Sequence, residues 1–173
     1  SRLIVDGRPV DETLQAILEE AAAVCAADRG FLAIVDHERG ELDVRYTTGI
    51  GWTEEKRRER LKVSRETGRG ITSRVAASRE PYVSGNVLED PYYIMSFEDV
   101  RSEVAVPVLD NLRRTRGVLS LESLRYDAFN DDHVAILSAL ADLAAAAMTV
   151  SDHRARQAAL AQIGKELGDF TNK

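Results

Sequence analysis

The side chains that could do chemistry are few and scattered: one cysteine, Cys25, and three histidines, His37, His133 and His153. A reactive thiol needs exposure and cationic neighbours to lower its pKa. Cys25 instead falls on the apolar stripe formed by Leu14, Ile17, Leu18 and Ala21, and reads as a small buried hydrophobe. A lone cysteine excludes a disulfide framework and a multi-cysteine zinc site, and points to a reducing, cytoplasmic setting. No two histidines share a ligand spacing such as i and i+4, which argues against a metal or a haem. Carboxylates are plentiful, but no local string sets out an acid/base pair or a Ser/His/Asp set.

Two further strings invite a binding reading. Lys56 to Arg69 carries seven basic residues against Glu59 and Glu66. With arginine and glutamate interleaved at helical spacing, a solvated helix face laced with ion pairs accounts for it better than an anion contact. Thr67-Gly68-Arg69-Gly70 feeds a short helix, and free N–H groups at a helix start attract anions. The string lacks the Lys-Ser/Thr of a P-loop and the third glycine of a dinucleotide fingerprint, so it reads as a turn. Between two predicted hairpins, Tyr92, Tyr93, Met95 and Phe97 cluster, with Trp52 and Tyr82 as further candidates. Such a set lines a mostly apolar pocket with a few polar groups, or fills a satellite core under a long loop.

The elements that must position these residues follow from periodicity. A helix from Asp11, its expected N-cap, to about Ala27 carries the Cys25 stripe. Residues 31–36 and 41–47 form a hairpin, residues 53–60 a short charged helix, residues 71–77 a helix and residues 80–83 a short strand. Residues 102–109 and 117–123 form a second hairpin, and Asn130 caps a last helix that no proline or early glycine stops. The 173 residues, 44% apolar and 30% charged, suit one domain with an additional segment. A net charge of −6 argues against nucleic-acid or anionic-membrane partners. No uninterrupted apolar run approaches the roughly 18 residues of a membrane span.

This order, with the strings Thr67-Gly68-Arg69-Gly70-Ile71, Arg79-Glu80-Pro81-Tyr82, Glu89-Asp90-Pro91-Tyr92, Arg101-Ser102-Glu103-Val104-Ala105-Val106-Pro107, Arg116-Gly117-Val118-Leu119-Ser120-Leu121 and Ala128-Phe129-Asn130-Asp131-Asp132, closely resembles a GAF domain. GAF domains are the small-molecule sensing modules of bacterial signalling proteins and of some phosphodiesterases and photoreceptors. The resemblance spans about Asp11 to Met148. It implies an α+β fold in α/β/α layers, with a central antiparallel sheet of five or six strands. The first and last helices pack on one face, and short helices and loops enclose a ligand pocket on the other. It divides the chain into an extension (1–10), a sensor domain (11–150) and a signalling helix (151–173) leading to an output domain of the same polypeptide. Ser1, in place of a methionine, fits an excised input module. The resemblance also implies a homodimer through the first and last helices.

Within that family, covalent bilin attachment needs a cysteine near the second hairpin, and none follows Ala26. Cyclic-nucleotide binders share an Asn-Lys pair and a Phe-x-x-x-Asp-Glu string, both absent here. The methionine-sulfoxide-reducing members use several cysteines. The expectation is therefore a non-catalytic, bacterial, small-molecule sensing domain and no enzyme, with a dimerisation and relay scaffold as the alternative. Its expected ligand contacts are Trp52, Arg74, Tyr82, Tyr92, Tyr93, Met95, Phe97, Ser102 and Ser120.

Overall fold

The computed structural model describes residues 9–172; Ser1 and most of the expected 1–10 extension lie outside them. Helix α1 (Val10–Val24) begins after Pro9, a residue suited to a helix start because it has no N–H to leave unpaired. Asp11, expected to cap the helix, lies inside its first turn and accepts a hydrogen bond from the Tyr46 hydroxyl. Thr13, Leu14, Ile17, Leu18 and Ala21 form the buried stripe, and Ala26 in the left-handed region (φ 52°) turns the chain into the sheet.

Six strands follow: β1 (Arg29–Asp36), β2 (Glu41–Gly49), β3 (Arg60–Lys62), β4 (Tyr82–Ser84), β5 (Ser102–Leu109) and β6 (Thr115–Ser123). They form one antiparallel sheet in the order β3-β2-β1-β6-β5-β4. Strand β3 is the unanticipated one. The charged helix expected over 53–60 stops early as α2 (Glu54–Arg57), and Arg60-Leu61-Lys62 pairs with β2 instead. The basic stretch is thus partly a ladder partner: Arg60 meets Asp43 at 3.1 Å and Lys62 meets Glu41 at 2.9 Å across the strands. Helix α3 (Ile71–Ser78) and a single 3₁₀ turn (Val87–Glu89) lie between β3 and β5.

Helix α4 (Asp131–Thr171) is one uninterrupted element of 41 residues. Its start is doubly capped: the His133 N–H donates to Asn130 Oδ1 and the Asn130 N–H donates to His133 Nδ1. Contrary to the absence of a span-length segment expected from the sequence, α4 holds an 18-residue window of mean hydropathy 1.8. A third of that window is buried in the fold, because Leu137, Ala141, Ala144 and Met148 pack on the sheet.

Strand alternation splits the interior in two. Val104, Val106, Val108, Leu119 and Leu121 face α1 and α4, while Ala33, Ala105 and Val118 face α3 and the 87–100 segment. Each fully buried leucine or isoleucine contributes about 1.5–3 kcal/mol. Cross-sheet spacing is tightest at Gly117, where an added Cβ would fall 2.4 Å from the Ala33 carbonyl oxygen of β1. Gly117→Ala is therefore expected to destabilise the fold by about 1–3 kcal/mol through forced separation of β1 and β6. Urea denaturation with an unchanged midpoint would refute that tight approach.

Candidate functional site

The sheet face away from α1 and α4 carries a cavity with about 70 Å³ open to the centres of water-sized spheres, room for several waters or a small organic molecule. Its apolar wall is an aromatic set from three separate segments. Trp52 meets Phe31 edge-on at 5.8 Å and Phe97 at 5.0 Å, while its indole N–H donates to the Thr48 carbonyl at 3.0 Å. Tyr93 closes the set with its hydroxyl 3.4 Å from the Phe97 carbonyl. Ile94 and Ser96 come from the same loop, Leu42 and Val44 from β2, and Gly70, Ile71 and Thr72 from the start of α3.

The polar floor is two glutamates. Glu103 on β5 and Glu122 on β6 are direct register partners, both line the cavity, and they are 4% and 5% exposed. Like charges placed opposite each other on a sheet repel. Burial first, and the neighbouring Glu122 second, push the Glu103 carboxyl well above the usual carboxylate range. Its hydrogen bond is from the Ser120 hydroxyl, at 3.1 Å. Burial also raises Glu122, to about 7, although Arg29 opposes that rise from 3.6 Å.

Arg29 is the third buried charge, 1% exposed. Its guanidinium takes both Asp99 oxygens at 3.1–3.2 Å, donates through Nε to the Ile50 carbonyl at 2.8 Å, and lies 3.6 Å from the Phe97 ring centre. At the pocket mouth, Lys56 donates to the Ser96 carbonyl and sits 4.4 Å over the same ring, while the Ser96 hydroxyl donates to Glu59 at 3.0 Å. The loop carrying Tyr93 to Asp99 is thus fastened from both sides over a cavity with an acidic floor. An amine entering it meets carboxyl groups and aromatic faces together, the combination that recognises an ammonium.

Of the residues singled out in the sequence, Trp52, Tyr93 and Phe97 come together here. Arg74, Tyr82 and Tyr92 form a separate stack outside the lining: Arg74 lies 4.2 Å from the Tyr92 ring centre, and the Tyr82 hydroxyl donates to Asp90 at 2.7 Å. Met95 is exposed on the outer side of the loop. The Ser102 hydroxyl donates to the Arg125 carbonyl, securing the end of β6, and Ser120 reaches the pocket only through Glu103. Sequence reasoning misses Glu103, Glu122, Arg29 and Lys56 as site residues. Their one signal is a glutamate interrupting an otherwise apolar strand, once in each strand of the second hairpin. Cys25 is buried among the side chains of α1 and α4 on the other face of the sheet, which raises its thiol pKa. Among the described residues, no group of three His, Cys, Asp or Glu side chains could hold a metal ion.

The carboxyl pair has a stability consequence. Both groups have folded pKa values above the unfolded value near 4.5, so their contribution is fully present below that pH and is lost as pH rises through about 7. Between pH 5 and pH 8 the wild type is expected to lose at least about 1.4 kcal/mol more than Glu103→Gln, the equivalent of one pKa unit. Parallel chemical denaturation curves for the two proteins across that range would contradict the coupling.

Comparisons with known proteins place this architecture. The chain is 31% identical over 67 residues to the free methionine-R-sulfoxide reductase of Saccharomyces cerevisiae, a match spanning 39% of this chain but only 36% of the relative. Among solved structures, the free methionine-R-sulfoxide reductase of Neisseria meningitidis, in complex with its substrate, superposes with a TM-score of 0.76 at 21% identity over 87% of this chain and 84% of that one. The GAF domain of a phosphoenolpyruvate-protein phosphotransferase from Coxiella burnetii superposes with a TM-score of 0.75 at 22% identity, covering 88% and 90%. The reductase relatives overturn the expectation of a non-catalytic sensing or scaffold role and no enzyme, which rested on the cysteine count. A cysteine count bears on one thiol mechanism and leaves other uses of the same pocket untouched. The sequence profile described as the GAF domain matches residues 7–149, and with the sheet order and the pocket on its open face, this chain belongs to the GAF domain family.

Proposed function

We propose that the pocket takes free methionine sulfoxide, or an amino acid of similar size, with the ligand's ammonium against Glu103 and Glu122 and its side chain among Phe31, Trp52, Tyr93 and Phe97. The observation that carries this is the buried carboxyl pair on the floor of an aromatic cavity. The named substrate of the reductase relatives supplies the ligand class. The unoccupied pair is electrostatically strained, and a bound ammonium relieves it by allowing both glutamates to ionise. Affinity should therefore rise with pH from about 5 to 8 as the pair loses its shared proton. The free Cys25 thiol supports a reducing, cytoplasmic setting.

The direct test is calorimetry with both sulfoxide epimers of free methionine, run beside a turnover assay with dithiothreitol as reductant. Glu103→Gln is expected to weaken binding by at least tenfold, about 1.4 kcal/mol. Absence of saturable binding by either epimer, at pH 8 as well as pH 6, would sink the reading.

A second observation supports a homodimer through α1 and α4. Beyond the sheet, Leu160, Ile163, Leu167 and Phe170 stand exposed at alternating spacings of three and four, with Phe170 at 79%. That is the seam spacing of a two-stranded coiled coil, and a second copy presents the same stripe in register. In light scattering, the full chain is expected to be dimeric and Ile163→Glu/Leu167→Glu monomeric. A double variant that remained dimeric would remove the distal part of α4 from the interface.

A further inference from the structure

We infer that the start of α3 is a carboxylate seat built into the same pocket, so that the ligand is a zwitterion gripped at both charged ends. The inference rests on the amine-binding reading above and narrows it. Helix α3 opens after Gly70 with no side-chain cap. Gly70 itself donates its N–H to the Tyr92 carbonyl at 2.7 Å. The first-turn N–H groups of Ile71, Thr72 and Ser73 have no acceptor within the helix. Gly70, Ile71 and Thr72 line the cavity, so this uncapped, partially positive helix end borders the ligand space.

An independent observation points the same way. Ser73 is fully buried, and its hydroxyl is the one buried side-chain polar atom without a hydrogen-bond partner among the described residues. The hydroxyl lies against the pocket wall. A Cβ added to Gly70 would meet Ser73 Oγ at 3.5 Å together with the Cδ1 atoms of Leu61 at 3.3 Å and Ile94 at 3.8 Å, and both of those residues line the cavity. Buried hydroxyls are rarely left unsatisfied. An oxyanion at the helix start accepts from this hydroxyl and from the first-turn N–H groups at once. Glu103 and Glu122 would repel a simple anion in the same cavity, whereas a zwitterion brings its own cation to them. The glycine-rich turn before α3 contributes its uncapped backbone and needs no lysine, because the ligand's counter-charge is its own ammonium.

The test compares free methionine sulfoxide with its carboxamide, which keeps the ammonium and loses the carboxylate, by calorimetry on the full chain. The acid is expected to bind at least tenfold tighter than the amide. Ser73→Ala should cut that ratio to threefold or less while leaving the amide's affinity unchanged; with no hydrogen bond to lose, this variant should fold as the wild type does. Equal affinities of acid and amide for the wild type overturn the seat and leave the amine reading standing. Propionate, a carboxylate without an ammonium, separates the two ideas further in ¹⁵N-resolved NMR of the wild type. Saturable shifts at Ile71 to Ser73 that vanish in Ser73→Ala uphold the seat even if no amino acid binds. No shift there, together with no discrimination between acid and amide, overturns it.

Discussion

The site depends on a single desolvated cation. Arg29, at the first residue of β1, touches four parts of the chain that are far apart in sequence: the Ile50 carbonyl after β2, the Phe97 ring, the Asp99 carboxylate and Glu122 on β6. Only a planar guanidinium with five donors can satisfy a bidentate carboxylate, a carbonyl and a ring face together. The arrangement carries no surplus. Asp99 is half exposed and Glu122 lies at 3.6 Å, so the compensation of the buried charge is divided between one wet partner and one dry one. Removing either partner would leave a buried charge short of compensation, a much larger loss than any surface ion pair entails.

That division explains the acidic floor. If Arg29 belonged wholly to Glu122, the carboxyl pair would be half neutralised and indifferent to ligand charge. Because Asp99 takes the bidentate contact, Glu122 stays raised to about 7 and Glu103, hydrogen-bonded by Ser120, is raised further. The pocket thus holds a proton in a place where a ligand cation can replace it. The aromatic wall sharpens the effect by excluding water, which strengthens every charge interaction beneath it.

Periodicity alone makes the frame legible. The Cys25 stripe, both hairpins, the Asn130 cap and the uninterrupted last helix each follow from local pattern, and the strand strings carry the family likeness. The site is legible only in its apolar half. Trp52, Tyr93 and Phe97 announce themselves by residue type, whereas Glu103 and Glu122 are two acids among 29, and their meaning appears only once register sets them opposite each other. Arg29 looks like punctuation after a helix because all its partners are at least 21 residues away. Strand β3 is hidden for a related reason. Arg60-Leu61-Lys62 has the composition of a helix surface, and only the acids of β2 turn it into a ladder. The Arg74 stack shows the opposite failure, in which residues suited to a pocket are used to secure the turn beside it.

The two outermost strands bear on how copies of this chain can meet. Both β3 and β4 are only three residues long, one carrying Arg60 and Lys62 and the other preceded by Pro81. Short, charged or proline-flanked borders offer few free main-chain groups for a further strand to join. The six-stranded sheet is therefore self-limiting, and crowded copies have little opportunity to zip together into a continuous, aggregating β-structure. Any lasting association is left to side-chain packing between helices, where geometry and stoichiometry are set by a finite apolar stripe.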